Sequence, residues 1–124
     1  MAFKTTVANQ ILDKILKNTD FTPASALYIS LHAGDPGETG TNEVTGGSYI
    51  RKVATFNSAA TKATSNVAAV TYTGMPATTV THVGIWSADT GGAFWWGGAL
   101  SPSKSVGAGD TFQIAAGDLD VALT

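Results

Sequence analysis

The sequence predicts a mainly β protein, a single-domain antiparallel β-sandwich of about seven strands with one N-terminal amphipathic helix. Three observations support this prediction. Short runs rich in β-branched and aromatic residues recur at intervals of roughly 8–15 residues, turn-forming residues separate them, and one segment alone has helical periodicity. The chain of 124 residues is typical of one domain, with the helix at residues 5–18 and the strands and loops at residues 26–124.

The segment 5–18 is predicted to be the helix because its apolar residues recur at helical spacing. Thr5 or Thr6 is suited to cap its start. The apolar stripe has two interpretations: it covers an open face of the sheet, or it docks on a partner subunit. The residues that form the stripe are Val7, Ile11, Leu12, Ile15 and Leu16.

The stretch 81–100 predicts a β-hairpin around which the fold is organised, because two apolar and aromatic runs flank the turn-forming segment 87–92. All three tryptophans lie in this stretch. The first strand of the hairpin is predicted at 80–86, and the strands outside the hairpin are predicted at 26–32, 49–56, 65–73, 111–115 and 119–123. Residues 101–110 are predicted to form a loop, in which 104–106 could form a short stretch of strand pairing.

The aromatic residues of the hairpin cannot all share one core, because alternate residues of a strand point to opposite faces. Phe94 and Trp96 lie on one face and Trp95 on the other. The second face is therefore covered by the helix, by another subunit or by a bound sugar. Since tryptophan is enriched at energetically dominant contact sites, whichever of Trp95 and Trp96 faces outward is a candidate subunit contact.

Two further segments are candidate partner contacts. The loop 34–47 is long for a compact domain, and its acidic residues Asp35, Glu38 and Glu43 match no EF-hand spacing, which favours a solvated or partner-contacting loop over a metal site. The N-terminal residues 1–4 place the ring of Phe3 ahead of the helix.

The composition excludes several classes of function. Seven basic and nine acidic residues give a net charge of −2, too little positive charge to bind nucleic acid, and no apolar run approaches the length of a membrane span. There is no cysteine. Neither His32 nor His82 accompanies a nucleophile motif, so we expect no catalytic residue, no cofactor and no metal.

A set of motifs in order along the chain resembles a family of small virion structural proteins of tailed bacteriophages, described as tail-fibre-like or capsid decoration proteins. The motifs are LYISLH at 27–32, GDPGE at 34–38, NEV at 42–44, SYIR at 48–51, THVGIW at 81–86, GG at 91–92 and GAGDT at 107–111.

The resemblance implies a non-enzymatic structural protein of the virion, assembled in the host cytoplasm. Our first interpretation is a capsid decoration or cement protein, a homo-oligomer that binds the major capsid protein or other virion proteins and stabilises the assembled head. The alternative is a tail or tail-fibre component, including one that binds a receptor or glycan.

Overall fold

The computed structural model describes residues 2–123, in which one helix and nine strands occur. Met1 and Thr124, which the predicted domain bounds include, lie outside the described residues. The helix α1 spans Thr5–Lys17. The strands are β1 (Ala2–Phe3), β2 (Leu27–His32), β3 (Lys52–Ala54), β4 (Ala63–Ser65), β5 (Val70–Tyr72), β6 (Thr78–Trp86), β7 (Phe94–Val106), β8 (Phe112–Ile114) and β9 (Asp120–Ala122).

The predicted hairpin is the pair β6–β7, the central pair of a five-stranded antiparallel sheet with the order β1-β7-β6-β2-β3. β7 is longer than predicted and extends through residues 101–106, because Thr78–Val80 at the start of β6 continue the ladder opposite Lys104–Val106. The interpretation of residues 101–110 as a loop is therefore wrong for 101–106, where only the brief pairing at 104–106 was anticipated.

Two short antiparallel ladders, β4–β9 and β5–β8, pack on the inner face of this sheet, because their apolar residues belong to the same core cluster as those of the central strands. The core between the layers contains alternate residues of the central strands together with apolar residues of the ladders. Tyr72 of β5 also donates a 2.8 Å hydrogen bond to the carbonyl oxygen of Ile29 in β2, which joins the layers directly. The predicted mainly β, antiparallel sandwich with one N-terminal helix is confirmed.

The strand predicted at 65–73 is divided between the last residue of β4, Ser65, and the whole of β5, and Asn66 lies between them. The Asn66 side chain is buried and accepts a hydrogen bond from the backbone N–H of Leu119, while its amide donates to the carbonyl oxygens of Ala68 and Ala115. These bonds satisfy backbone groups that a continuous ladder would otherwise pair. This division and the additional pairing of β1 with β7 raise the number of strands from about seven to nine.

The loop 34–47 covers part of the outer face of the five-stranded sheet. Pro36 and Gly40 of the loop are buried, and the backbone approaches the sheet closely because the facing residues lack side chains. A Cβ on Gly97 would lie 2.7 Å from Pro36 Cγ, and one on Gly40 would lie 2.6 Å from Trp86 Cη2.

The interpretation in which the helix stripe covers an open sheet face is wrong. Of the α1 residues, Val7 alone is buried. The loop 34–47 provides much of that cover instead.

Candidate assembly surface

Phe3 is held against the edge of the five-stranded sheet. In β1 it lies opposite Trp96 of β7, and the adjacent Lys4 donates a 2.7 Å backbone hydrogen bond to the Trp95 carbonyl oxygen. Phe3 is half-buried and lines an entirely apolar pocket of about 250 Å³ with Trp95, Trp96 and Val121 among its other walls. Ala2 and Phe3 therefore form a partly exposed apolar edge of the sheet.

The two adjacent tryptophans of β7 have different environments. The prediction that Phe94 shares a face with Trp96 is wrong, because two adjacent residues of β6 pair with Trp96 and Phe94 across a register shift, so these two rings lie on opposite faces of the sheet. Trp96 is 1% exposed and belongs to the core. Trp95 is half-buried, and its ring centroid lies 5.9 Å from that of Phe21. Trp95 is thus the outward member of the pair and remains the candidate contact, whereas Trp96 is a packing residue.

The aromatic cluster does not form an exposed platform for a sugar. Trp86, Phe94 and Trp96 are all buried, and the rings of Trp86 and Phe94 pack edge to face with a centroid separation of 5.2 Å. Stacking on a ligand requires an accessible ring face. Of the phenylalanine and tryptophan residues of the hairpin, Trp95 is the one that is partly exposed.

The exposed acids Asp35 and Glu38 shape the loop and attach it to the helix. Asp35 accepts a 2.8 Å hydrogen bond from the N–H of Gly37, which closes a tight turn. The Glu38 carboxylate accepts the backbone N–H of Thr5 at 3.0 Å, and this bond lowers the pKa of Glu38. Glu38 therefore takes the capping role that we expected of Thr5 or Thr6, since the N-cap residue is Lys4 and makes no side-chain cap.

Glu43 is engaged within the protein. Its two carboxylate oxygens accept hydrogen bonds of 2.9 Å from Nε and Nη2 of Arg51, and Oε2 also accepts one of 2.8 Å from the Tyr49 hydroxyl. Burial alone would raise the pKa of Glu43, but the bonds from Arg51 and Tyr49 outweigh it and the pKa is lowered. Few acceptor positions of this carboxylate remain for a partner.

Arg51 connects the loop 34–47 with the turn of the central hairpin. Nη1 donates to the carbonyl oxygens of Ala88 and Gly91, at 3.0 and 2.8 Å, and the guanidinium carbon lies 3.7 Å from the Trp86 ring centroid. A guanidinium is suited to this role because it donates in several fixed directions while it stacks on an aromatic ring. The sequence contains no spacing signal for this contact, which joins residues about 40 positions apart.

A buried polar chain crosses the outer face of the sheet. The Trp86 indole N–H donates to Ser30 Oγ at 2.9 Å, Ser30 Oγ lies 2.6 Å from His32 Nε2, and His32 Nδ1 lies 2.7 Å from the Thr41 carbonyl oxygen. Burial lowers the pKa of His32, so the neutral ring is favoured. Both ring nitrogens are occupied and His32 is fully buried, an arrangement that stabilises the fold and leaves no nitrogen for a substrate.

Residues 2–123 offer few other side chains for catalysis or metal binding. His82 bonds locally, with Nδ1 2.8 Å from Thr81 Oγ1. No three histidine or acidic side chains of the described residues are grouped as metal ligands would be. No helix within the same range has the length and apolar character needed to cross a membrane.

The apolar stripe of α1 is largely exposed, and an apolar groove lies beside it. Leu12, Ile15 and Leu16 are 55%, 74% and 74% exposed, and Leu123 near the end of the chain is 51% exposed. We call these four residues the α1 face. The groove has a volume of about 410 Å³ and is lined by Ala2, Phe3, Ala8, Ile11, Leu12, Ala122 and Leu123. The sequence analysis anticipated the stripe and Phe3 as contacts but missed the C-terminal residues, because only the tertiary fold brings them to the helix.

Comparison with known proteins gives one family. The family model described as podophage GP4 fiber I protein gp80 matches residues 2–122. No curated protein matches the chain.

Proposed function

The chain belongs to the podophage GP4 fiber I protein gp80 family, and from this premise we propose that it is a non-enzymatic structural subunit of a phage tail fibre. The observation that carries the proposal is the extent of the match, which covers residues 2–122 of a 124-residue chain. The protein is therefore a structural protein of a phage virion. The match favours the tail-fibre alternative over our first interpretation, a capsid decoration protein.

The environment of the two histidines supports a structural role. His32 is fully buried with both ring nitrogens bonded, and His82 bonds its own neighbour Thr81. A general base must reach the proton that it abstracts in a bound substrate. His32 has no such access, and the buried polar chain to which it belongs links the loop 34–47 to the sheet.

The exposed apolar surface supports a role in which the protein binds other proteins. The α1 face lies at the same edge of the molecule as Phe3, and Trp95 is close to Phe3 through the shared apolar pocket. Contiguous exposed apolar residues of this kind mark protein contacts. The partners in this proposal are other fibre or tail proteins and further copies of the chain.

The experiment that tests the proposal locates and counts the protein in purified particles. Antibody labelling in electron microscopy and quantitative mass spectrometry are applied to complete virions and to tail-free heads from the same phage. We expect label on the tail, few copies per virion and loss of the protein from tail-free heads. Hundreds of copies on tail-free heads would refute the tail-fibre assignment and restore the capsid decoration interpretation.

A deletion phage separates the same alternatives by phenotype. We expect heads that lack this protein to keep the thermal stability of wild-type heads, while adsorption to the host falls. Complementation from a plasmid is the control. Heads that rupture at a lower temperature, with adsorption unchanged, would contradict the proposal.

A further inference from the structure

Helix α1 uses only one side of its apolar stripe for the body of the protein. Val7 is buried and Ile11 half-buried, whereas Ile15, Leu12 and Leu16 are more than half exposed. Because successive helix residues turn by about 100°, these three side chains cover an arc of about 100°. An arc of this width is what a helix usually buries against a packed neighbour.

The groove lies directly beside the exposed side chains of α1, so this part of the surface has both projecting side chains and a hollow. Leu12 belongs to both the α1 face and the groove wall, and Phe3, Ile11 and Leu123 complete much of the lining. Projecting leucine and isoleucine side chains therefore lie directly beside an apolar hollow of about 410 Å³. A surface that carries both features is complementary to a second surface of the same kind.

We propose that the α1 face and its groove bind a second copy of this chain. Symmetric oligomers bring the same patch of each subunit together, which sets like charges against each other if the patch is charged. The four residues of the α1 face and the groove walls carry no charged side chain. The 4-then-3 spacing of Ala8, Leu12 and Ile15 is also the spacing with which identical helices pack side by side.

The inference deepens the proposed function and rests on it only for the claim that the contact forms in the virion. Association of the purified chain depends on the surface alone. A failure of self-association therefore leaves the virion experiments intact, and a head location in those experiments leaves self-association intact.

Sedimentation equilibrium of the full chain tests the contact with a matched pair of variants. Leu12→Glu places a charge in the α1 face, and Ile50→Glu places one at a similarly exposed position away from it, since Leu12 and Ile50 are 55% and 58% exposed. Glutamate is a good helix former, so α1 is retained, and circular dichroism verifies the fold. We expect an oligomeric wild type, an oligomeric Ile50→Glu and a dissociation constant at least about tenfold higher for Leu12→Glu.

Cysteine cross-linking tests the geometry, and it is clean because the sequence contains no cysteine. Ile15→Cys with a short bis-maleimide linker is expected to give a covalent dimer, whereas Val53→Cys, 57% exposed on β3, is expected to stay monomeric on a denaturing gel. A wild type that is monomeric at all concentrations overturns the proposal. Equal association of both glutamate variants, or equal cross-linking of both cysteine variants, also overturns it.

Discussion

Replacing Arg51 with methionine is the sharpest perturbation of the contacts between the loop 34–47 and the sheet. The change removes the guanidinium but keeps an unbranched stem of comparable length. It leaves the Glu43 carboxylate without its ion-pair partner and the carbonyl oxygens of Ala88 and Gly91 without their donors. It also removes the cation that lies over the Trp86 ring.

The magnitude follows from burial. The Arg51 and Glu43 side chains are 9% and 21% exposed, and removing one partner of a buried pair costs about 3–5 kcal/mol. Water reaches part of Glu43 and reduces that cost, so we expect Arg51→Met to lower the free energy of unfolding by about 3 kcal/mol. Because small domains are stable by about 5–15 kcal/mol, a loss of this size is measurable without unfolding the protein.

The assay is urea unfolding followed by tryptophan fluorescence, with Glu43→Gln and the double variant completing a cycle. We expect the two single changes to be non-additive by about 1–3 kcal/mol, since the residues are in direct contact. Lys52→Met is the control, because it removes the neighbouring positive charge and Lys52 makes no ion pair within residues 2–123. We expect it to change stability by less than about 0.5 kcal/mol.

The pH dependence provides an independent check on the same pair. The pKa of Glu43 is lowered in the folded protein, so its contribution to stability is present above its unfolded value of about 4.3 and is lost as pH falls through the folded pKa. Arg51→Met should flatten that part of the profile. A loss below about 1 kcal/mol for Arg51→Met, or strictly additive single changes, would refute the reasoning.

Three further predictions concern the two faces of the sheet. Gly40→Ala should destabilise more than Gly37→Ala in thermal unfolding, because both glycines have positive φ but only at Gly40 would the new Cβ overlap aromatic rings; equal effects would mean that the loop does not pack as described. Trp96→Ala should cost about 3–5 kcal/mol in urea, whereas Trp95→Ala should leave a folded monomer with weaker self-association in sedimentation, and comparable unfolding by both would contradict the assignment of Trp95 as a contact. Since burial lowers the pKa of His32, the contribution of this residue to the free energy of unfolding should be fully present above about pH 6.5 and decrease as the pH falls below that value. His32→Asn should therefore reduce the slope of the free energy of unfolding against pH between about pH 5 and about 6.5. An unchanged slope would argue against a buried neutral ring.

Local periodicity by itself was enough to predict the helices and strands that are specified by residues close together in the chain. The helix predicted at 5–18 is observed at Thr5–Lys17, and the strand predicted at 26–32 is Leu27–His32. The hairpin around 87–92 was equally predictable. Its two runs and turn formers lie within about twenty residues of each other, which specifies the turn, but the register shifts of the β6–β7 ladder and the continuation of β7 to Val106 depend on cross-strand pairing that alternation does not express.

The resemblance of the motifs indicated the class of protein, a phage virion component. Our first interpretation of it placed the protein on the head, not on the tail. The family match favours the fibre. Sequence patterns that specify a fold carry little information about where in a particle the fold is used, because the same small sandwich can present its apolar surface to a shell or to a fibre.

Only the tertiary structure decided what the candidate contact residues do. Glu43 and Glu38 look alike in the sequence, as acids in one loop. One meets Arg51 and is occupied within the fold, while the other caps α1 across 33 residues. The position of Leu12 beside Leu123 is likewise visible only in the folded chain, where both line one groove. Such contacts join segments that are distant in the chain, and their energies depend on burial and direction, which no local period of the sequence expresses.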